Sequence, residues 1–561
     1  MNRQFHRWAL ALALAAVLAG SARAQTPPPT DPNVTSGTTV HLIRLLVEQG
    51  VITAQQAQAL MEQARQEAVA AEQSTQPEVR EGDVRVPYIP ETVRDEIRAE
   101  VKDEVIAQAK EENWAAPNTF PAWVSRITLF GDVRVRNESR FYSGDNSFDI
   151  IDFNEFNDDN YDLGQLNQTQ PPLINSREER ENRLRVRARF GLNAALSDNW
   201  SAGVRVATGS SNSPVSTNQT LGGGLSKKDI WLDRARITWS PGVWNVTGGR
   251  AENPFVSSDL LYDGDLNFDG ISASWSDVAF SDHGAFFGTL GAFPLSYTSD
   301  DFPSREFDKA SSDDKWLLGA QIGTDWRFSE DSRFLMALSY YDFDNIRGQR
   351  SSECVLYFGD DTCDTDGSAP AFMQKGNTVF LLRDIALNPA DPANTAMPQL
   401  VGLASKFELF DLNLRWDTPL FGGYKLRLAG NYIYNHGYSE EELFRNADGQ
   451  VINNFDENGE IKSGRDAWMV HSAFGSSLDL DTAGNWKVFA GYKHIKPDAL
   501  PDAFNDSDFH LGGTNAKGYY LGGAYAFTDS LYAQGRWLST EEVYGPPLAI
   551  DVLQVELNAR F

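Results

Sequence analysis

The feature that most constrains this chain is an alternating run over residues 180–190, RENRLRVRARF. Four arginines alternate there with four apolar residues, namely Arg183, Arg185, Arg187 and Arg189 with Leu184, Val186, Ala188 and Phe190. Successive side chains of a β-strand point to opposite faces, so this strand has one cationic and one apolar face. An arginine that faces lipid near the bilayer midplane costs about 2–4 kcal/mol. The pattern therefore predicts a membrane-spanning strand whose arginines face a water-filled lumen.

Three neighbouring segments, GDVRVRNES, SAGVRVAT and LDRARITW, repeat this alternation. The same argument turns their arginines inward and their apolar residues toward lipid. With one more arginine at the end of the next predicted strand, the predicted pore-lining residues are Arg134, Arg136, Arg183, Arg185, Arg187, Arg189, Arg205, Arg234, Arg236 and Arg250. A soluble β-sandwich with one basic sheet is the alternative, which the long strand series and an export signal disfavour.

From about residue 121 to the end, the apolar pattern keeps a period of two over sixteen segments of roughly 10–15 residues. Tight turns such as SDN, PGV, SED and TAG (482–484) alternate with long acidic loops such as 142–179, 344–404 and 437–464. Short turns on one side and long loops on the other are typical of outer-membrane barrels. We therefore predict an all-β fold, a transmembrane antiparallel barrel of about 16 strands over 121–561, with both chain ends on the periplasmic side.

The residues before the barrel predict an exported protein with a helical extension. Residues 1–24 have a basic start, an apolar run and a small-residue end, as a signal peptide does. Residues 25–120 contain two helical patterns separated by a proline-rich break, so we predict a periplasmic helical or coiled-coil extension. The second helix, ETVRDEIRAEVKDEVIAQAKEE, has a narrow apolar stripe that suits a solvated surface helix or a subunit-joining coiled coil equally.

Charge, cysteines and motifs narrow the function further. A net charge of −29 argues against a nucleic-acid partner. Cys354 and Cys363 are the only cysteines, and their close spacing in an exported chain predicts a disulfide rather than a metal site. The sequence contains no HExxH, G-x-S-x-G or complete P-loop motif. We therefore expect no enzyme, although a barrel-wall hydrolase with dispersed Ser, His and Asn residues is a weaker alternative.

The last predicted strand, VLQVELNARF, alternates apolar and polar residues and ends in Phe561. This ending resembles the signal that the barrel-assembly machinery reads in bacterial outer-membrane proteins. The resemblance implies that this machinery is a partner and that the protein resides in outer-membrane lipid.

A more specific likeness lies in GGRAENPFVSSDLLYDGDLNFDGISASW, residues 248–275. Together with the two N-terminal helical patterns and the entry PAWVSRITLFGDVRVRNE, it resembles the putative porin family of Gram-negative bacteria. The architecture is also similar to that of trimeric general porins, which implies a homotrimer and a third external loop, 252–267, folded into the lumen. Asp259, Asp263 and Asp265 would then form a constriction opposite the arginines, with a transverse field between the two charge sets.

These observations predict an outer-membrane porin for passive diffusion of small hydrophilic solutes or ions. Its selectivity stays open, because the arginines favour anions whereas the seven carboxylates of residues 145–162 favour cations. An anion-selective channel of the phosphate or carboxylate type is one alternative, and a structural or adhesive barrel with a closed lumen is another. The acidic loops DNSFDIIDFNEFNDD and NADGQVINNFDENGE suit solvation better than Ca²⁺, because they lack EF-hand spacing, and we expect no other cofactor.

Overall fold

The computed structural model describes residues 124–165, 170–297, 313–359 and 361–561. The predicted signal peptide, residues 1–24, and the predicted extension, residues 25–120, lie outside these ranges. Their boundaries and structure therefore stay predictions.

Sixteen long strands form one antiparallel sheet, which closes into a barrel because β1 pairs with β16. They are β1 Ile127–Tyr142, β2 Arg180–Ala195, β3 Trp200–Thr208, β4 Ile230–Trp239, β5 Trp244–Glu252, β6 Asn267–Ser281, β7 Gly284–Ser296, β8 Lys315–Ser329, β9 Ser332–Asp344, β10 Phe407–Pro419, β11 Lys425–Asn435, β12 Asp466–Gly475, β13 Trp486–Ile495, β14 Ala516–Thr528, β15 Leu531–Glu542 and β16 Ala549–Arg560. The predicted fold class and strand number are confirmed.

The described residues outside the sixteen strands form short elements. Two α-helices, Phe153–Asp159 and Glu440–Ala447, lie in long loops. Five short strands are Gln219–Thr220, Glu353–Cys354, Val379–Leu381, Asp384–Ile385 and Val401–Leu403. Six 3₁₀ turns are Val124–Arg126, Leu163–Gln165, Asp366–Ser368, Pro392–Asn394, Phe421–Gly423 and Phe509–Leu511. Within the described ranges, no helix is long and apolar enough to cross a membrane.

The two faces of the strands separate as the alternation predicts. On the outer face Val135 is 44% and Leu184 is 47% exposed, whereas Arg136 on the inner face is 4% exposed. Because these outer side chains are exposed on the barrel surface, they form the apolar band that lipid covers. The arginines instead lie inside, where other polar groups surround them.

Short turns and long loops alternate along the chain with one difference from the prediction. β12 ends at Gly475 and β13 begins at Trp486, so the connection SSLDLDTAGN is ten residues long rather than a three-residue turn. The apolar residues of this connection pack beside the barrel end, since Leu480 is buried against Ala524 and Ala526. Buried Leu478 and Leu480 alternate with aspartates in this connection, so its sequence has the same period of two as a strand.

Several long loops fold into the barrel rather than away from it. Loop 3 (residues 253–266), loop 5 (345–406) and loop 7 (496–515) contribute Leu260, Leu261, Val401, Leu500 and Phe509 to one large apolar cluster. This cluster also includes inward side chains of the strands, such as Tyr341 and Leu409. The long-loop half of the lumen therefore contains a packed core, which confines any water-filled path to the remaining inner surface.

Candidate functional site: the charged lumen

The centre of the site is a ladder of arginines on β1 and β2. In the strand register Arg134 lies opposite Arg187, and Arg136 lies opposite Arg185. Like charges directly opposite one another are destabilising in a sheet, so this arrangement requires carboxylates nearby.

Carboxylates of the same strand, β1, satisfy part of that requirement. Asp132 is 2.9 Å from Arg187 and 2.7 Å from Arg189. Glu138, which is 1% exposed, is 2.8 Å from Arg140 and 3.2 Å from Arg185. Both acids share the inner face with the arginines, so the period of two that located the arginines could also have located them.

Neighbouring strands supply further carboxylates. Glu556 of β16 lies 2.9 Å from Arg136 and 3.6 Å from Arg134. Glu252 at the end of β5 lies 3.0 Å from Arg234 and 3.6 Å from Arg236. These pairs join separate strands, so they cross-link the wall at several heights.

A β-bulge brings one more acid into the lumen. The register shifts so that Arg205 lies opposite Arg234 while Val206 lies opposite Leu232, which makes Asp233 the extra residue. Its carboxylate accepts a hydrogen bond from Arg205 and another, of 2.7 Å, from the amide of Asn267. Strict alternation would place Asp233 toward lipid, so the sequence pattern alone does not reveal it.

Asp265 of loop 3 contacts the arginine ladder directly. It lies 3.4 Å from Arg187 and 3.3 Å from Arg189, and it accepts a 2.7 Å hydrogen bond from the Thr217 hydroxyl. Burial opposes its ionisation, but Arg187 and Arg189 outweigh burial and hold the pKa of Asp265 below its usual range. The sequence predicts a transverse field between separated aspartates and arginines. Asp265 instead contacts Arg187 and Arg189 directly and neutralises part of their charge.

The other two predicted constriction residues bind other parts of the lumen. Asp259 lies 3.0 Å from Lys493 of β13. Asp263 accepts a 2.9 Å hydrogen bond from the Ser507 backbone. Burial, followed by the nearby carboxylates Asp506 and Asp265, raises the pKa of Asp263 well above its usual range. Asp263 therefore contacts loop 7 rather than the arginines.

Loop 7 brings in a carboxylate that the sequence did not single out. Asp508 lies 2.9 Å from Arg136 and 2.6 Å from Arg536 of β15. Burial opposes its ionisation, but Arg136 and Arg536 prevail and the pKa of Asp508 falls well below its usual range. The stretch LPDAFNDSDF mixes apolar and acidic residues as loop 3 does, which is the one sequence signal for this insertion.

Arg250 stands apart from the ladder. It donates a 3.0 Å hydrogen bond to the Asp233 carbonyl and a 2.8 Å hydrogen bond to Asp269. It borders a cavity of about 890 Å³ together with Asn267, Phe268 and others. The structure thus separates this predicted pore-lining residue from the other nine.

The remaining predicted residues occupy defined positions. Cys354 and Cys363 are joined by a disulfide, as their spacing predicts. Phe561 exchanges backbone hydrogen bonds of 2.9 and 3.0 Å with Gly131. A β-carbon at Gly131 would lie 2.6 Å from the Phe561 ring, so glycine is needed there for close contact. The role of Phe561 in assembly stays a prediction.

The expectation that the external loops are solvated rather than bound to Ca²⁺ stays a prediction as well. Among residues 124–165, 170–297, 313–359 and 361–561, no three His, Cys, Asp or Glu side chains are grouped to hold a metal ion.

The chain is similar to several solved outer-membrane proteins at low sequence identity. It is similar to OprB of Pseudomonas putida, with 10% identity and a TM-score of 0.42 over 78% of this chain and 95% of that chain. It is also similar to the outer membrane channel DcaP of Acinetobacter baumannii, with 10% identity and a TM-score of 0.37 over 78% and 97%. OmpT of Vibrio cholerae, in a trimer form, gives 10% identity and a TM-score of 0.34 over 78% and 99%.

No curated protein matches the chain. The model of the family described as "Putative porin" matches residues 36–561. Because this match covers most of the sequence, the protein belongs to that porin family, which also accounts for a closed barrel with an apolar outer band and a charged lumen.

Proposed function

We propose that this porin passes small hydrophilic anions in preference to cations by passive diffusion along its arginine-rich inner surface. The observation that carries the proposal is a surplus of arginine. Eleven arginines, hereafter the arginine wall, make ion pairs inside the barrel: Arg134, Arg136, Arg140, Arg183, Arg185, Arg187, Arg189, Arg205, Arg234, Arg236 and Arg536.

Among the described residues, seven carboxylates lie within 4.0 Å of these arginines: Asp132, Glu138, Asp233, Glu252, Asp265, Asp508 and Glu556. The arginine wall therefore keeps a net positive charge after every contact is counted. Fixed positive charge in a narrow lumen attracts anions and repels cations.

The acidic loop over residues 145–162 carries negative charge, but its exposure to solvent weakens the effect of that charge on passing ions. Asp145, Asp158 and Asp159 are exposed to solvent. Salt screens exposed charges beyond about 8 Å at physiological ionic strength, whereas partly buried charges are screened much less. We therefore expect the arginine wall to set the selectivity and the acidic mouth to modify it only at low salt.

Single-channel recording in a planar bilayer under a KCl gradient tests this proposal. We expect discrete open steps and a reversal potential of the sign set by chloride. Arg187→Gln with Arg189→Gln should move the reversal potential toward that of potassium. A cation-preferring reversal potential would overturn the anion preference, and folded protein without any steps would favour the adhesive or closed barrel.

The same framework gives the remaining assignments. We propose that the chain has a transport role and no catalytic one, that it assembles as a homotrimer, and that its N-terminal extension lies in the periplasm. The trimer follows from the resemblance to general porins. Mass measurement of the detergent-solubilised protein tests it, since a monomeric mass would overturn it.

A further inference from the structure

The surplus charge of the arginine wall is concentrated at one place. Arg140, Arg183 and Arg185 have Glu138 as their one carboxylate within 4.0 Å in the described part of the chain, at distances of 2.8, 3.9 and 3.2 Å. By contrast, Arg187 and Arg189 share two carboxylates, Asp132 and Asp265. Three guanidinium groups around one buried acid leave an uncompensated positive charge, and we call these three residues the outer arginine cluster.

Other groups near the cluster do not neutralise it. Arg183 donates two hydrogen bonds to the Thr220 hydroxyl, at 2.7 and 3.2 Å. The Gln554 amide donates a 3.3 Å hydrogen bond to Glu138, so part of the hydrogen-bond acceptor capacity of that carboxylate is already occupied. Asp508 of loop 7 is already bound to Arg136 and Arg536.

The cluster retains donors and access to solvent. The side chains of Arg140, Arg183 and Arg185 are 20%, 29% and 13% exposed. Arg185 Nε is buried and has no hydrogen-bond partner among the described residues. A buried donor without an acceptor is costly, and a guanidinium group binds the oxygens of an anion in a bidentate manner.

The cluster also lies where a permeating anion would pass. β1 runs from Asp132 to Glu138 and Arg140, so the cluster is nearer the long loops than the Asp265 contact with Arg187 and Arg189. An anion that enters from the long-loop side reaches the cluster before it reaches the arginines that loop 3 neutralises.

We propose that Arg140, Arg183 and Arg185 form a binding site for an oxyanion, either a phosphate or a carboxylate group of a permeating solute. This inference rests on the proposed function and specifies where that function captures its solute. Glu138 holds the three guanidinium groups together, and the solute oxyanion supplies the negative charge that the protein does not.

The test is inhibition of single-channel chloride current by inorganic phosphate at constant ionic strength, in a planar bilayer. In the wild-type protein we expect current to fall with saturation as phosphate rises. Arg183→Gln with Arg185→Gln should raise the half-inhibiting concentration about tenfold or more, because charge-assisted hydrogen bonds are lost. The same titration with acetate shows whether a carboxylate binds more tightly than phosphate.

A matched control removes two lumen-facing arginines from the opposite side of the barrel. Arg415→Gln with Arg427→Gln alters a pair that shares Asp417, at 3.8 and 2.7 Å. We expect this variant to change the reversal potential while keeping the half-inhibiting concentration within about twofold of wild type. Arg183→Lys with Arg185→Lys keeps the charge but loses the bidentate geometry, so inhibition should weaken to an intermediate degree even if the glutamine variant does not fold.

The outcomes separate the two proposals. Chloride current that neither phosphate nor acetate inhibits, or equal weakening in the two glutamine variants, would overturn the site while an anion-preferring reversal potential still supports the proposed function. A cation-preferring channel would overturn both.

Discussion

The two halves of the inner barrel surface differ in kind. On β1–β4, the inner face carries arginines that keep contact with solvent, such as Arg183 at 29% and Arg236 at 23% exposure. On β9–β12, the inner face carries Ala337, Leu409 and Ala467, each 0% exposed beneath the loops. One half is therefore a charged surface along a water path, and the other half is a platform on which loops 3, 5 and 7 pack.

Loop 3 shows how the platform works. Gln321 of β8 donates a 2.8 Å hydrogen bond to the Val256 carbonyl and accepts a 2.9 Å hydrogen bond from the Val256 backbone. The Phe255 ring contacts the Tyr341 ring edge-on, with centroids 5.1 Å apart. The loop is fixed on the apolar half and reaches toward the charged half with Asp265. The long-loop end of this half is mostly apolar because packed loops require apolar partners, whereas Arg415 and Arg427 lie nearer its short-turn end.

The largest expected effect comes from placing a charge on the platform. Ala337→Arg buries an unpaired guanidinium beneath the loops and should destabilise the folded barrel by about 3–5 kcal/mol. Thr128→Arg is the control, because Thr128 is exposed and lies opposite Asn193 on the arginine-bearing strands. Unfolding in urea, followed by tryptophan fluorescence, measures both. Equal stability of the two variants would show that the halves do not differ.

The second effect concerns the acids that reach the arginine wall from loops. Asp265→Asn and Asp508→Asn each remove one negative charge from a pair of arginines, so each should raise the chloride-to-potassium permeability ratio by about two- to fivefold. Reversal potentials in a KCl gradient measure this ratio. Asp411→Asn is the control, since Asp411 is 0% exposed on the platform and binds the amides of Asn413 and Asn431. An unchanged ratio in both loop variants would contradict the assignment.

A smaller effect should follow when loop 3 is released from the platform. Gln321→Ala deletes both hydrogen bonds to Val256, each worth about 0.5–1.5 kcal/mol, without changing the charge of the lumen. We expect larger fluctuations of the open-channel current and an unaltered reversal potential. Ser332→Ala, on the periplasmic end of β9, provides a control outside the loop contact. A changed reversal potential without larger current fluctuations would show that Gln321 acts electrostatically rather than by holding loop 3 in place.

The smallest effect is a pH dependence of loop 7 docking. Burial raises the pKa of Asp498 to about 6 and that of Asp502 to about 7, even though each carboxyl receives hydrogen bonds or neighbouring positive charge. An undocked carboxyl ionises near pH 4, so docking is fully favourable below that pH and weakens as pH rises toward 7.

Hydrogen exchange of peptides from residues 496–515 measures this effect after correction for the intrinsic pH dependence. Exchange should quicken between pH 5 and pH 8, and Asp502→Asn should reduce the change. Peptides from β14 serve as the internal reference. Exchange that slows with rising pH would reverse the sign of the argument.

The alternation along the strands suffices to predict the barrel, but it does not predict which loop residues fill the lumen. Alternation at Arg183 to Arg189 predicts the inner face, since lipid excludes arginine, and the same rule turns Arg134 and Arg136 to the face that is buried in the barrel. It did not predict Asp508, because its contacts with Arg136 and Arg536 join segments far apart in sequence. A period of two also does not reveal a β-bulge, so the alternation alone places Asp233 on the wrong face of β4.

Loop 3 gives an intermediate case. The resemblance predicted that it enters the lumen, and Asp265 does reach the arginines. What its acids contact depends on neighbours that only the folded chain supplies, such as Ser507 at Asp263 and Lys493 at Asp259. Charge at a position can be read from sequence, whereas charge balance requires the tertiary structure.

The bonds between loop 3 and loop 7 have a consequence for the order of folding. The Asp263 backbone donates to the Phe504 carbonyl at 2.8 Å, and the Asp506 backbone donates to the Asp259 carbonyl at 3.1 Å. These partners are more than two hundred residues apart, and closing so long a segment before the strands pair is entropically costly. Loop docking is therefore a late step, and the newly closed barrel passes through a stage with a wider opening than the mature channel has.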